Sequence, residues 1–371
     1  MEILIHYRNN ALAYIYQNIT KKILFKIDPE KVHDKVLLLG RILGSNYLTK
    51  SITKSLFFYS NSKLFQEIKG IKFNSPVGLA AGFDKDAYLT NILPNISFGF
   101  LEVGSITGEP CLGNSKPRLF RLKKSNALII NYGLKNQGCV KIANRLKNKA
   151  FKIPVGISIA KTNCKETADT EVGIKDYVRA YKEFLNIGDY YTINISCPNA
   201  FGGQPFTDKL RLNKLLEEIN KVKKTKPIFI KLSPDLNKKE INNVIKLSKK
   251  YKIDGFICTN LTKNRNNKKI LDRNIPKKGG ISGKVVEDLS NNLIKYVYKK
   301  TKGKFIIIGC GGIFTAEDAY KKIKLGASLV QLVTGMIFQG PQVISQINQG
   351  LVKLLEKDNY KNINEAIGKG I

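Results

Sequence analysis

A barrel of eight parallel β-strands alternating with α-helices, preceded by a small helical segment, is the fold the sequence predicts. Three observations lead there. From about residue 70, short apolar runs recur between longer stretches of helical text. Each run ends in Gly, Ser, Asn or Thr, and there are eight of them. Strands of a parallel sheet are buried on both faces and read as unbroken apolar runs. Eight of them alternating with helices is the arithmetic of a (β/α)8 TIM barrel.

In order, the runs are VGLAA (77–81), FLEVGS (100–105), VGISIA (155–160), YYTINIS (190–196), PIFIKLS (227–233), GFICTN (255–260), FIIIGCGG (305–312) and SLVQLVTG (328–335). Amphipathic text fills most of the gaps, such as LNKLLEEINKVKK before the fifth run and AEDAYKKIKLGA before the eighth. An open doubly wound sheet is the alternative, but GLAAGFDKD after the first run lacks the GxGxxG fingerprint. Between the sixth and seventh runs, NRNNKK and KKGGISG predict an excursion over the barrel mouth. A chain of 371 residues fits one such barrel.

Residues 1–65 read as helices in which apolar and basic positions mix, and residues 66–371 as the barrel domain. The longest apolar run in the first segment, Leu12 to Tyr16, is far short of a membrane span, which needs about 20 apolar residues. A helical cap on the barrel and an interfacial amphipathic segment both fit that pattern.

Lys and Arg outnumber Asp and Glu 63 to 29, a formal charge of +34 that could draw nucleic acid, anionic lipid or acidic small molecules. The lysines are scattered in pairs along every segment, however, and form no RNA-binding stripe. The six cysteines show no CxxC pair, and only His6 and His33 are present. That argues against a metal centre, an iron–sulfur cluster or histidine chemistry, and with no secretory signal it predicts reduced thiols in the cytosol.

Barrel enzymes work at the C-terminal ends of their strands. Here those ends deliver Asp84 and Lys85, Ser105, Ser158, Asn194, Cys197 and Asn199, Lys231, Thr259 and Asn260, then Gly311-Gly312 and Thr334-Gly335. The last two loops suit a phosphorylated cofactor held by backbone N–H groups, although glycine turns at positive φ occur in any barrel. Lys231, inside an apolar strand, needs a neutralising neighbour, either an electron-rich cofactor or a barrel carboxylate. Asparagines are common turn formers, but four converging on one mouth point to hydrogen bonding of a ligand. A lone cysteine can be a small buried hydrophobe, a reading that suits Cys258 and Cys310 within apolar runs better than Cys197.

The runs SPVGLAAGFDKDA, LEVGSITGEPCLGNSKPRLFRL, NISCPN, KLSPDL, TNLTKNR, GGISGKVV, IIGCGGI and GASLVQLVTGMIFQGP resemble, in order over about residues 66–350, dihydroorotate dehydrogenase. The N-terminal FKIDPEKVH resembles the extension of the membrane-associated, quinone-using class 2 enzymes, which favours an interfacial helix pair forming a quinone tunnel. The resemblance implies FMN bound by Ala81, Gly82, Lys85, Ser105, Ser158, Asn194, Lys231, Thr259, Gly283, Gly312, Val333 and Thr334. It implies dihydroorotate, and orotate as product, bound by Lys85, Asn131, Asn194, Asn199 and Asn260, with no metal. Cys197 falls where the family places the base that removes the C5 proton while hydride leaves C6 for the flavin. Class 2 members usually carry serine there and class 1 members cysteine, and a thiol of ordinary pKa ~8.5 ionises far more readily than a hydroxyl.

This chain departs from the pattern in a shortened IINYGLKN loop, in Ser158 where asparagine is usual, and in Leu261 where threonine is usual. The resemblance further implies peripheral contact with anionic lipid on the cytoplasmic side of the cell membrane. A cytosolic enzyme using fumarate or NAD is the alternative. No nucleic-acid partner is expected; a flavin-dependent tRNA-dihydrouridine synthase, which would explain the charge, should carry an RNA-binding domain after the barrel.

Overall fold

The computed structural model describes residues 2–371. Eight parallel strands close a barrel in sequence order: β1 Val77–Leu79, β2 Phe100–Ile106, β3 Val155–Ile159, β4 Tyr190–Asn194, β5 Ile228–Leu232, β6 Gly255–Cys258, β7 Ile306–Cys310 and β8 Leu329–Leu332. Closure comes from β8 against β1, with Val330 opposite Val77. Every predicted run holds one strand, and the second extends one residue further, to Ile106.

The barrel interior is layered. A hairpin, Gln66–Ile68 with Ile71–Phe73, turns through Lys69 and Gly70, both at positive φ as a tight hairpin requires. It delivers Phe73 to the barrel's lower end, where Phe73 meets Phe100 edge-on and Tyr190 meets Phe229. Above this plug lies a buried carboxylate, Glu102, whose Oε2 accepts hydrogen bonds from Thr192, Tyr190 and Gln331. The upper end is left to polar residues and a cavity. Over it stands an antiparallel rim sheet of Leu119–Leu122, Ala127–Ile130 and Gly280–Ile281. The Gly280–Ile281 strand is the excursion that KKGGISG predicts.

Three long helices precede the barrel, α1 Glu2–Ile15, α2 Pro29–Leu43 and α3 Tyr47–Phe57, with short helical turns Tyr16–Thr20 and Lys21–Leu24 between the first two. Asp28 caps α2 by accepting from the Lys31 N–H, with Pro29 in the first turn, and Asn46 caps α3 through the Thr49 N–H. The resemblance implies an interfacial pair; α1 lies on the C-terminal helix Val343–Lys357. Arg8 and Asn9 both reach Ser345 Oγ there, and Arg8 also bonds the Phe58 carbonyl. The Arg118 guanidinium ties α2 to the rim sheet by gripping both carboxylate oxygens of buried Glu30. Burial would raise the Glu30 carboxyl, but the bonds and charge of Arg118, with Lys116 and Lys135, hold it below its ordinary value. No helix among the described residues is long and apolar enough to cross a membrane.

Candidate active site

Register explains why the barrel mouth is polar. Asn194 at the end of β4 stands opposite Lys231 on β5, so both side chains face the same way. Asn194 Nδ2 donates to Ser105 Oγ at 2.8 Å, and Ser105 Oγ lies 2.7 Å from Ser158 Oγ. On its other side Asn194 Oδ1 accepts from Ser196, whose carbonyl holds the Asn260 amide at 3.0 Å. These bonds fix two carboxamides at the opening before any ligand arrives. Lys231 is 4% exposed, and its ammonium has no hydrogen-bond or ion-pair partner among the described residues. No barrel carboxylate pairs with Lys231: Glu102 spends its Oε2 on hydroxyls and an amide in the layer below, and its buried Oε1 has no hydrogen-bond partner.

Opposite this wall the backbone supplies the donors. Gly283, Gly311 and Gly312 all sit at positive φ, and their N–H groups find no acceptor among the described residues. At Gly312 a Cβ would run into Glu287, so only glycine lets the chain pass this close. The start of the short helix Thr334–Gln339 adds the free Gly335 N–H. Four backbone donors around one apolar-walled space make a ready seat for a phosphate.

A third side is built by loops. Cys197, half-buried after β4, lines the same cavity as Lys85, Asn199, Asn260 and Tyr132. Burial pushes the Cys197 thiol up, against the N–H groups of Asn199 and Ala200 and the charge of Lys161, which pull it down. The Lys85 ammonium lies over the Tyr132 ring, 3.9 Å from its centre. Burial, then the charge of Lys135, lowers its pKa to about 8, so it remains largely a cation at neutral pH. From α2, His33 reaches into the cavity with Nε2 2.8 Å from the Phe83 carbonyl. Burial and Lys85 depress it to about 3, which leaves it neutral.

Of the positions singled out from sequence, Ala81, Gly82, Lys85, Ser105, Asn194, Cys197, Asn199, Lys231, Thr259, Asn260, Gly283, Gly312, Val333 and Thr334 all line this one cavity. Two do not. Ser158 is fully buried behind Ser105, and Asn131 lies in an outer basin with Lys116, Lys263, Arg265, Lys277 and Lys278. Asn131 Oδ1 accepts from Asn114 Nδ2, which also bonds the Asn199 carbonyl.

A combination this specific invites comparison with known proteins. The sequence model of dihydroorotate dehydrogenase matches residues 63–355. The chain belongs to the dihydroorotate dehydrogenase family. It is 38% identical to the dihydroorotate dehydrogenase (quinone) of Trichodesmium erythraeum, over 95% of this chain and 98% of that one. To the protein of the same name from Crocosphaera subtropica it is 41% identical, over 92% and 94%. Its structure resembles the crystal structure of the Eimeria tenella dihydroorotate dehydrogenase in complex with ferulenol, with TM-score 0.81 and 31% identity over 92% of this chain and 95% of that one.

Several residues of this family member escape a reading by strand ends. Cys310 is more than a core thiol: half-buried, it packs on the Phe73–Phe100 cluster and also lines the cavity, as the last residue of β7 facing inward near Lys231. His33 and Tyr132 enter from the extension and the rim loop, which the barrel pattern does not position. Lys161, two residues past β3 in IAKTN, is a polar residue just beyond a strand end, and that spacing was the signal available for it.

Proposed function

We propose that the protein oxidises (S)-dihydroorotate to orotate in pyrimidine biosynthesis, using FMN and passing electrons to a quinone. The observation that carries this reading is a single cavity in which two thiols, three lysines and three carboxamides meet four free backbone donors, with α2 forming part of its wall. FMN fits that cavity on two counts: the amides of Gly283, Gly311, Gly312 and Gly335 lack acceptors, and buried Lys231 lacks an anion. Gly283, Gly312, Val333 and Thr334 would hold its phosphate end. Ala81, Gly82, Lys85, Ser105, Asn194, Lys231 and Thr259 would hold its ring end, with Ser158 bracing Ser105 from behind. When bound, FMN supplies the acceptor for the hydride that leaves C6 of the substrate.

The chain's own residues do the rest. Lys85 neutralises the substrate carboxylate, and Asn194, Asn199 and Asn260, with Asn131 turned in from the outer basin, take its ring amides. The Cys197 thiolate removes the C5 proton; because burial raises this thiol, the base is only fractionally ready at neutral pH. Residues 1–65 form the quinone and membrane-associating segment, and residues 66–371 the catalytic barrel. Exposed Ile3, Leu4, Tyr7, Leu38, Leu39, Ile42, Tyr47 and Leu48 support docking on the cytoplasmic face of the cell membrane, and the +34 charge favours anionic lipid. The test is turnover of dihydroorotate on anionic vesicles with quinone, fumarate or NAD as sole acceptor. Quinone reduction is expected; reduction of fumarate or NAD alone would overturn the acceptor assignment.

A further inference from the structure

Beneath Cys197 lies a second, much smaller cavity that the reaction as described leaves unused. Its walls hold three titratable side chains: Cys197, Lys161 and Tyr177. Lys161 is 3% exposed, yet no carboxylate pairs with it among the described residues. Its ammonium donates to the Phe201 carbonyl at 2.9 Å and to Thr167 Oγ1 at 3.2 Å, which leaves one of its three N–H donors without a partner. A buried cation in that state calls for an anion.

The neighbours narrow what the anion is. Tyr177 donates its hydroxyl to the Asn194 carbonyl at 2.9 Å, and burial drives its pKa far up, so it stays a neutral phenol. Asp176, on the same helix, is occupied by the Thr162 N–H and hydroxyl and by the Gly108 N–H. The Cys111 thiol donates to the Gly133 carbonyl, and the Cys164 thiol faces Thr167 Oγ1. Cys197 is the acidic group left within the small cavity. The carbonyl that Lys161 holds belongs to Phe201, four residues past Cys197, just before Gly202 and Gly203 at positive φ.

We propose that Lys161 is a positioning residue whose ammonium, together with the N–H groups of Asn199 and Ala200, is the counter-charge for the Cys197 thiolate and pins the loop that carries it. The inference rests on Cys197 being the base of the proposed reaction. In it the thiol proton goes to solvent before catalysis, and Lys161 keeps its own.

The test is the pH dependence of Cys197 alkylation by iodoacetamide in the intact flavoprotein, followed by mass spectrometry of the Cys197 peptide, with no dihydroorotate present. Lys161→Gln keeps a hydrogen-bond donor and removes the charge, Lys161→Met removes both, and Lys161→Arg keeps the charge. The Gln and Met variants are each expected to move the alkylation midpoint up by about one pH unit, a tenfold slower reaction at neutral pH. The Arg variant is expected to restore most of it. A midpoint in either uncharged variant equal to the parent's would overturn the proposal, even if activity were lost, since a merely structural lysine would not tune the thiol. Because alkylation needs no substrate, failure of the parent to oxidise dihydroorotate would count against the proposed reaction and leave this measurement readable.

Discussion

In the barrel the largest fully buried side chains include Tyr181, Tyr190, Tyr191, Phe100, Phe184 and Phe206; in the three long N-terminal helices the most deeply buried residues are Asn9, Glu30 and Thr53. The exposed large apolar residues show the reverse distribution. Ile3, Leu4, Tyr7, Tyr14, Leu38, Leu39, Ile42, Tyr47 and Leu48 all stand on the extension's outer surface. The barrel is sorted as a protein surrounded by water must be. The extension is held to the barrel by polar bonds, Arg8 and Asn9 to Ser345 and Glu30 to Arg118, and by Ile5, Leu37, Leu43 and Phe57 packed on the core, while its other large apolar side chains face out. Each large apolar side chain so placed gains about 1.5–3 kcal/mol when covered.

The proposed function puts proton and hydride chemistry in the barrel and acceptor chemistry in the extension, and substitutions can break that division. The largest effect is expected from Cys197→Ala, which removes the base alone. Bound flavin is retained, but its reduction by dihydroorotate slows about 10²–10⁴-fold in stopped-flow measurements. Equal rates in mutant and parent would remove Cys197 from the chemistry.

Glu30→Gln strands the buried Arg118 guanidinium and should destabilise the junction by about 3–5 kcal/mol. Limited proteolysis would then release the extension well before the barrel unfolds. Because the Glu30 carboxyl is held below its ordinary value, its contribution is present above the unfolded carboxylate pKa of about 4.3 and is lost as pH falls through the lower folded value. The parent should therefore become protease-sensitive at this junction in acid, and the Gln variant should be sensitive at neutral pH already.

Leu38→Glu touches neither catalysis nor the junction. It should weaken co-sedimentation with anionic vesicles by about tenfold or more, from the 1.5–3 kcal/mol that one covered leucine supplies. Flavin reduction by dihydroorotate in that variant should stay at the parental rate, and a parallel fall in both would break the division of labour.

The smallest effect is on pH dependence. A base must be deprotonated to act, so flavin reduction should rise with pH towards the raised pKa of Cys197. Cys197→Ser should shift that rise further upward, and an unchanged profile would mean another group titrates.

The barrel was legible because parallel strands covered on both faces must be apolar throughout, and YYTINIS or PIFIKLS can be little else. Residues at strand ends followed from the same pattern, which is why Asn194, Lys231 and Thr259 were found without a structure. What the pattern does not contain is direction. A helical period in α2 reveals two unlike faces, but not that Glu30 points inward and Leu38 outward. Ser158 and Asn131 were found as chemistry but not as position, since one residue's step along a strand or a loop's path decides whether a side chain faces the cavity. The role of Lys161 stays hidden because its significance lies in lacking an anionic partner, a property of three-dimensional neighbours rather than of sequence.

The most direct test is anaerobic. The full-length flavoprotein, free of lipid and quinone, is mixed with L-dihydroorotate while the oxidised flavin absorbance is followed. The account predicts rapid bleaching with stoichiometric release of orotate, since base, hydride acceptor and substrate contacts all reside in the barrel. A bound flavin that does not bleach, or that bleaches only once membranes are added, would contradict it.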